Sequence, residues 1–263
     1  FTLFLSALPA RRATRSVPEG SRGDQPAHEH EEQHSIFAGF HLVLNRRYLM
    51  LMGLFVIMLN LVNTTGEYLL AAILEQLYAE GSAAGSIDVD KGTYVGRFYG
   101  SFYFLVNLCG VLIQFFVVSR LIRVAGFSFA FALTPLLVFL GYASLALLPI
   151  IAWFRYFKVV DNSLDYSLQN TARQMLWLPL SRQEKYEARA VIDTLGQRIG
   201  DLLQAGLIFV GLHLLGWNAV SFIPVAAVLA GLNLAIALAI IRERARLLDA
   251  APAAGAEGAA ATP

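Results

Sequence analysis

The chain has 263 residues, 57% of them hydrophobic and only 15% charged, with a mean hydropathy of +0.57. Soluble domains carry about 45–50% apolar and about 25% charged residues, so this balance excludes an ordinary soluble globule and points to a membrane protein. A net charge of +1 excludes the basic surplus of a nucleic-acid binder, and a single cysteine, Cys109, excludes disulfide frameworks and cysteine-rich metal sites.

Residues 1–15 open with an apolar run, Phe1 to Leu8, followed by Arg11, Arg12 and Arg15. Positive charge after the apolar stretch is the reverse of a signal peptide, so this segment is expected to be the end of a preceding membrane helix with its basic flank. Residues 16–47 read as a cytoplasmic linker. It contains Pro18, Gly20, Gly23 and Pro26, and its His28, His30 and His34 fit a solvated charged stretch better than a metal site. From Ser35 to Asn45 the apolar residues Ile36, Phe37, Phe40, Val43 and Leu44 suit a helix lying on a membrane surface.

A membrane helix needs about 20 mostly apolar residues. Six stretches qualify within 48–247: approximately 48–72, 97–121, 126–148, 150–178, 190–215 and 219–241. The fourth is interrupted by charge, and Pro149 and Gly216-Trp217 mark very short connections. Residues 248–263, rich in alanine and glycine, are expected to form an unstructured tail.

Orientation follows from the distribution of basic residues. One set of flanks holds Arg46, Arg47, Arg120, Arg123, Arg182, Lys185, Arg189, Arg242, Arg244 and Arg246; the opposite set holds Glu75, Glu80, Asp88, Asp90, Lys91 and Arg97. The positive-inside rule then places both ends of the six-span block in the cytoplasm, with a bacterial inner membrane as the expected location.

Ionisable and amide side chains inside a bilayer are costly, which makes each a candidate for function. Span one carries Asn60, Asn63, Thr64 and Glu67 on one helical face, and span two carries Tyr99, Tyr103, Asn107 and Gln114. In span four Arg155, Lys158, Asn162, Asp165 and Gln169 form a stripe with Asp161 beside it, and span five has Asp193, Gln197, Asp201 and Gln204 with Arg198 at the flank. Spans three and six hold no charged residue, so they are expected outside, with one, two, four and five around a wet cavity. The candidate substrate-binding set is Asn60, Asn63, Glu67, Asn107, Arg155, Lys158, Asp161, Asn162 and Asp165. Arg120, Arg123, Arg173, Lys185, Asp193, Arg198 and Asp201 are candidates for gating contacts between helices. The plainer reading, in which these groups neutralise one another and glue helices together, is favoured for Gln114, Gln204 and Tyr99. No metal-ligand spacing, nucleophile–base pair or phosphate-cradling glycine loop is present within the spans, so neither an enzyme nor a cofactor is expected. Gly196-Gln-Arg-Ile-Gly200 lacks the pattern of a phosphate loop.

The segment from Lys158 to Leu180 resembles the ATP/ADP translocase (nucleotide transporter) family of plastids and intracellular bacteria, within the major facilitator superfamily. The similarity is carried by Tyr166-Ser167-Leu168, Met175, Pro179-Leu180, Lys185 and Ile192-Asp193, with Asn60-Leu61-Val62 in span one. The resemblance implies an all-α membrane fold, with this chain as the carboxy-terminal six-helix half of a twelve-helix carrier that works by alternating access. It implies as partners the lipid bilayer, an amino-terminal six-helix half and a small anionic substrate, with ATP or ADP the first candidate. The chain departs from the family at telling positions. The family has lysine immediately before Tyr-Ser-Leu and an acid directly after Asn-Leu-Val, where this chain has Asp165 and Asn63; Glu67 stands where the family tends to carry lysine. Another organic ion or metabolite therefore stays open as substrate, as does a non-transporting membrane module.

Overall fold

The computed structural model describes residues 39–147 and 151–260, and all regular structure among them is helical. Residues 39–45 form a short helix that leads into α1, Arg47–Ala83, a rod of 37 residues. At its far end Gly85 turns the chain with φ 69°, a conformation that favours glycine. Asp90 then caps α2, Lys91–Leu112: its carboxylate accepts from the Thr93 amide at 2.9 Å and from the Thr93 hydroxyl at 2.6 Å. An acidic cap at a helix start satisfies free amides and matches the helix dipole.

A π-helical turn, Ile113–Val118, joins α2 to α3, Ser119–Leu147. Gly126 breaks this run with φ 79° and ψ 168°. A straight helix over Lys91–Leu147, 57 residues, would be about 85 Å long at 1.5 Å per residue, nearly three times the bilayer core of about 30 Å. The break at Gly126 divides it into lengths of about 52 Å before and about 32 Å after, of which the second matches the bilayer core and the first extends beyond it.

The next rod is assembled from α4, Ile151–Leu164, a π-turn at Asp165–Gln169, and α5, Asn170–Met175. After a turn, α6 covers Arg182–Ala190, and a π-turn at Val191–Leu195 leads into α7, Gly196–Phe209, which ends in a further π-turn, Val210–Leu214. Gly216 reverses the chain with φ 63°, and Asn218 accepts from the amide and hydroxyl of Ser221 at 3.0 and 2.9 Å. The last helix, α8, is Phe222–Ala260. It continues past residue 248, where the sequence predicts the start of an unstructured tail.

Three stretches are long and apolar enough to cross a membrane: Arg47–Ala83, Lys91–Leu147 and Ala219–Asp249. They fall on the first expected span, on the second and third together, and on the sixth. The fourth and fifth do not reach that mark. Their charged residues lower hydropathy, and π-turns divide them into pieces of 14 residues or fewer.

The centre of the bundle is α1. Of its most apolar window 56% is buried, against 17% for Lys91–Leu147 and 33% for the last stretch. One core packs Leu49, Met52 and Phe55 of α1 against Phe131, Trp177, Ile192 and Ile240. A second packs Leu69 and Ile73 against Phe102, Tyr142, Phe154, Phe157 and Phe222. Val118, Ala130, Leu164 and Leu168 make a third. The α3 and α8 rods pack against each other and expose Leu136, Leu140, Val228 and Leu232.

Candidate functional site

The polar stripes of the expected spans meet through side-chain contacts that run from rod to rod. Asn60 on α1 donates to the Gln197 carbonyl at 2.8 Å and to Asp201 Oδ1 at 2.7 Å, tying α1 to α7. One turn further, Asn63 donates to Asp165 Oδ2 at 3.2 Å. Asp165 opens the π-turn after α4, so this bond links α1 to the fourth rod. The fourth rod also reaches α2 and the π-turn that follows it. Arg155 donates to Ser101 Oγ at 3.0 Å and lies over the Phe98 ring, 5.0 Å from its centroid. Gln114 and Thr171 approach to 3.4 Å, the outer limit of a hydrogen bond.

Lys158 and Asp161 are the deepest pair. Nζ lies 2.6 Å from Oδ2 and both side chains are sealed from solvent. They fit because α1 has Gly66 at this level: a Cβ there would fall 2.9 Å from Lys158 Nζ and collide with the Tyr142 hydroxyl. The Tyr142 hydroxyl is buried without a hydrogen-bond partner. Tyr142 is therefore a member of this cluster that the sequence reading missed; a lone phenol in an otherwise apolar third span is the signal for it. Asn162 is buried alongside, whereas Glu67 and Asn107 are exposed. Asn107 donates to the Tyr103 carbonyl of its own helix at 2.7 Å.

Close approach of α1 and α7 depends on Gly196 and Gly200. A Cβ on Gly200 would lie 2.9 Å from the Ile57 carbonyl oxygen and from Asn60 Cβ, and one on Gly196 would lie 3.1 Å from Val56. Small residues four apart are a signature of tight membrane-helix contacts. The segment that fails as a phosphate loop works instead as a packing face.

The expected gating residues are only partly brought together. Arg189 bonds Gln174 at 2.7 Å, across rods, and packs on Trp177. Its ion pair with Asp193, at 3.4 Å, lies within one helical run; Asp193 does not bridge two helices. Among the described residues no ion pair involves Arg120, Arg123, Arg173, Lys185, Arg198 or Asp201. The pairs that do cross elements at this end are Arg46–Glu184 at 3.4 Å and Arg47–Glu243 at 3.9 Å. Glu184 also completes a capping box with Ser181 at the start of α6. The short helix 39–45 docks here: Gly39 lies so close to the Glu187 carbonyl that no side chain fits, and Val43 is buried in the first core. The expected surface helix lies otherwise outside the described residues, as do the linker histidines and Pro149.

No group of three or more histidine, cysteine, aspartate or glutamate side chains able to hold a metal occurs among the described residues.

One curated relative carries the comparison with known proteins. The chain is 27% identical over 140 residues to ADP,ATP carrier protein 1 of Chlamydia pneumoniae, an alignment that covers 43% of this chain and 27% of the relative. The chain thus matches about a quarter of that carrier's length. No family model and no solved structure matches. The distant similarity supports a relationship to nucleotide carriers and accords with a transporter rather than an enzyme.

Proposed function

We propose that this chain is the carboxy-terminal six-helix half of a secondary membrane transporter of the nucleotide-carrier type. Its cavity face is built from α1, α2, the α4–α5 rod and the α6–α7 rod, with both flanks of the block in the cytoplasm and a second half completing the site. The observation that carries this reading is the run of polar contacts from Asp201 through Asn60, Asn63 and Asp165, with Arg155–Ser101 beyond. It connects the four rods that the sequence pattern singles out, and it is paired with the distant similarity to an ADP,ATP carrier. Amides and carboxylates at membrane depth are tolerated where they pair or face water, and alternating access requires such a face near the midplane between two halves.

Within this reading, Lys158 is sealed against Asp161, and Arg97, Arg155, Arg173 and Arg198, none of them buried, are the cations left to attract an anionic substrate. Asn63 and Asp165 take the places where the family has an acid and a lysine, and they are in contact. The two departures compensate each other and preserve a polar link between α1 and the fourth rod.

The test is counter-exchange in proteoliposomes containing the full-length protein, with labelled ATP outside and ADP inside. Saturable uptake that depends on internal ADP supports the reading. Absence of uptake of ATP, ADP and other nucleotides, from protein shown to be inserted and folded, rules out the nucleotide substrate.

A further inference from the structure

We propose that the cleft between α2 and the α4–α5 rod is a subsite for an uncharged nitrogen heterocycle of nucleobase type, separate from whatever holds the phosphates. This deepens the nucleotide-carrier reading and rests on it for the nucleotide as a whole. The cleft has a volume of about 280 Å³, and Asn107, Gln114, Phe115, Tyr166, Asn170 and Thr171 form most of its wall. Ligands of drug size occupy about 300–1,000 Å³, so this space suits one fused ring and not an entire nucleotide.

Its chemistry is neutral. No lining side chain carries a charge at neutral pH, whereas a phosphate drawn from water needs arginine or lysine. Three carboxamides in so small a space are the groups that read the donor and acceptor edge of a base. Asn107 already spends its Nδ2 on the Tyr103 carbonyl, which leaves Oδ1 to accept from an exocyclic amino group. Gln114 and Thr171 meet only at 3.4 Å, and Thr171 donates its hydroxyl to the Ser167 carbonyl at 2.9 Å, so the Gln114 carboxamide and the Thr171 oxygen as acceptor keep hydrogen-bonding capacity. The Tyr166 ring is 54% exposed and offers a face for stacking, the contact by which proteins hold bases without charge.

The backbone is shaped for the same end. The π-turns Ile113–Val118 and Asp165–Gln169 lie against each other, one on each wall, and π-turns concentrate at functional sites because they open a helix locally. Below them the Ser163 hydroxyl, bonded to the Val159 carbonyl of its own helix at 2.6 Å, also approaches the Val106 carbonyl of α2 at 3.2 Å. A lipid chain does not fit this wall, since exposed amides in hydrocarbon are unsatisfied.

The experiment uses the full-length protein in nanodiscs and measures equilibrium binding of labelled adenosine, with pyrophosphate as the charged competitor. The expected result is saturable binding that weakens about tenfold or more in the Asn107→Ala, Gln114→Ala double variant, while pyrophosphate inhibition of ATP exchange stays within about twofold. Adenosine should also protect Asn170→Cys, in a Cys109→Ala background, from maleimide, and pyrophosphate should not; this labelling is read even where the double variant folds poorly. No adenosine binding, or binding and labelling indifferent to these changes in protein that exchanges ATP, overturns the subsite and leaves the carrier reading in place. Adenosine protection without any nucleotide exchange keeps the subsite and removes the nucleotide carrier.

Discussion

Lys158 and Asp161 illustrate what a charge pair means once it is sealed. Two ions removed from water owe their tolerance to each other, and removing one strands the other, which costs about 3–5 kcal/mol. Lys158→Ala and Asp161→Asn are therefore each expected to destabilise the protein by about that much, and Lys158→Met with Asp161→Leu to recover most of it. Thermal unfolding in detergent, followed by tryptophan fluorescence, reads the difference. A direct substrate contact would show the opposite pattern, with stability kept and binding lost in all three. Hydropathy made both residues visible as charges near the middle of a membrane segment, a position that favours a cavity-lining role, although their sequence spacing of three also fits a staple. What speaks for the staple is Gly66 on α1 and the phenol of Tyr142 on α3, which no local pattern connects to Lys158. Asn63 and Asp165 were legible as departures from a family pattern; that they touch was not.

At the level of elements, composition and apolar periodicity located the rods well and their internal breaks poorly. A π-turn inserts one residue into a helix without changing its composition, so the turns at Ile113–Val118, Asp165–Gln169, Val191–Leu195 and Val210–Leu214 leave no clear trace in hydropathy. Glycine spacing was readable in principle. Gly196 and Gly200 set the distance between α1 and α7, and the nearest obstacle to a side chain at Gly200 is the Ile57 carbonyl, part of a rigid backbone. Gly200→Val should force the rods apart at a cost of about 1–3 kcal/mol and weaken the Asn60–Asp201 bond; an unchanged melting temperature would contradict this. The capping box of α6 gives a pH signature. The Ser181 hydroxyl and amide donors, aided by Arg46, hold the Glu184 carboxyl below its ordinary 4.5. A lowered folded value stabilises the cap above the ordinary range and loses that stabilisation as pH falls through the folded value. Protection factors of the amides across 182–190, taken relative to the intrinsic exchange rate at each pH, should fall on acidification below 4.5, and Ser181→Ala should lower them already at neutral pH.

For the whole molecule the open quantity is the number of membrane crossings. Length and apolarity mark Arg47–Ala83, Lys91–Leu147 and Ala219–Asp249, and a reversal at the Gly126 break would add one crossing to these. The α4–α5 and α6–α7 rods are the ones in question, because the charges that make them interesting also lower their hydropathy. Packing argues for both as spans. Leu164 and Leu168 share a core with Val118 and Ala130, and α7 lies along α1, the most buried rod. If both cross, Ser86 and Asn218 lie on one side of the membrane, and Gln183 and Arg246 on the other. Single cysteines at these four positions, in the Cys109→Ala background, are expected to react with an impermeant thiol reagent in two pairs. Ser86→Cys and Asn218→Cys should label in intact cells, and Gln183→Cys and Arg246→Cys only after permeabilisation, in keeping with the basic flanks at Arg182, Lys185, Arg242 and Arg244. Labelling of Gln183→Cys together with Asn218→Cys would mean that α7 does not cross. The cavity face would then lose Asp201 and Gln197, and with them the contact to Asn60 on which the transporter reading depends.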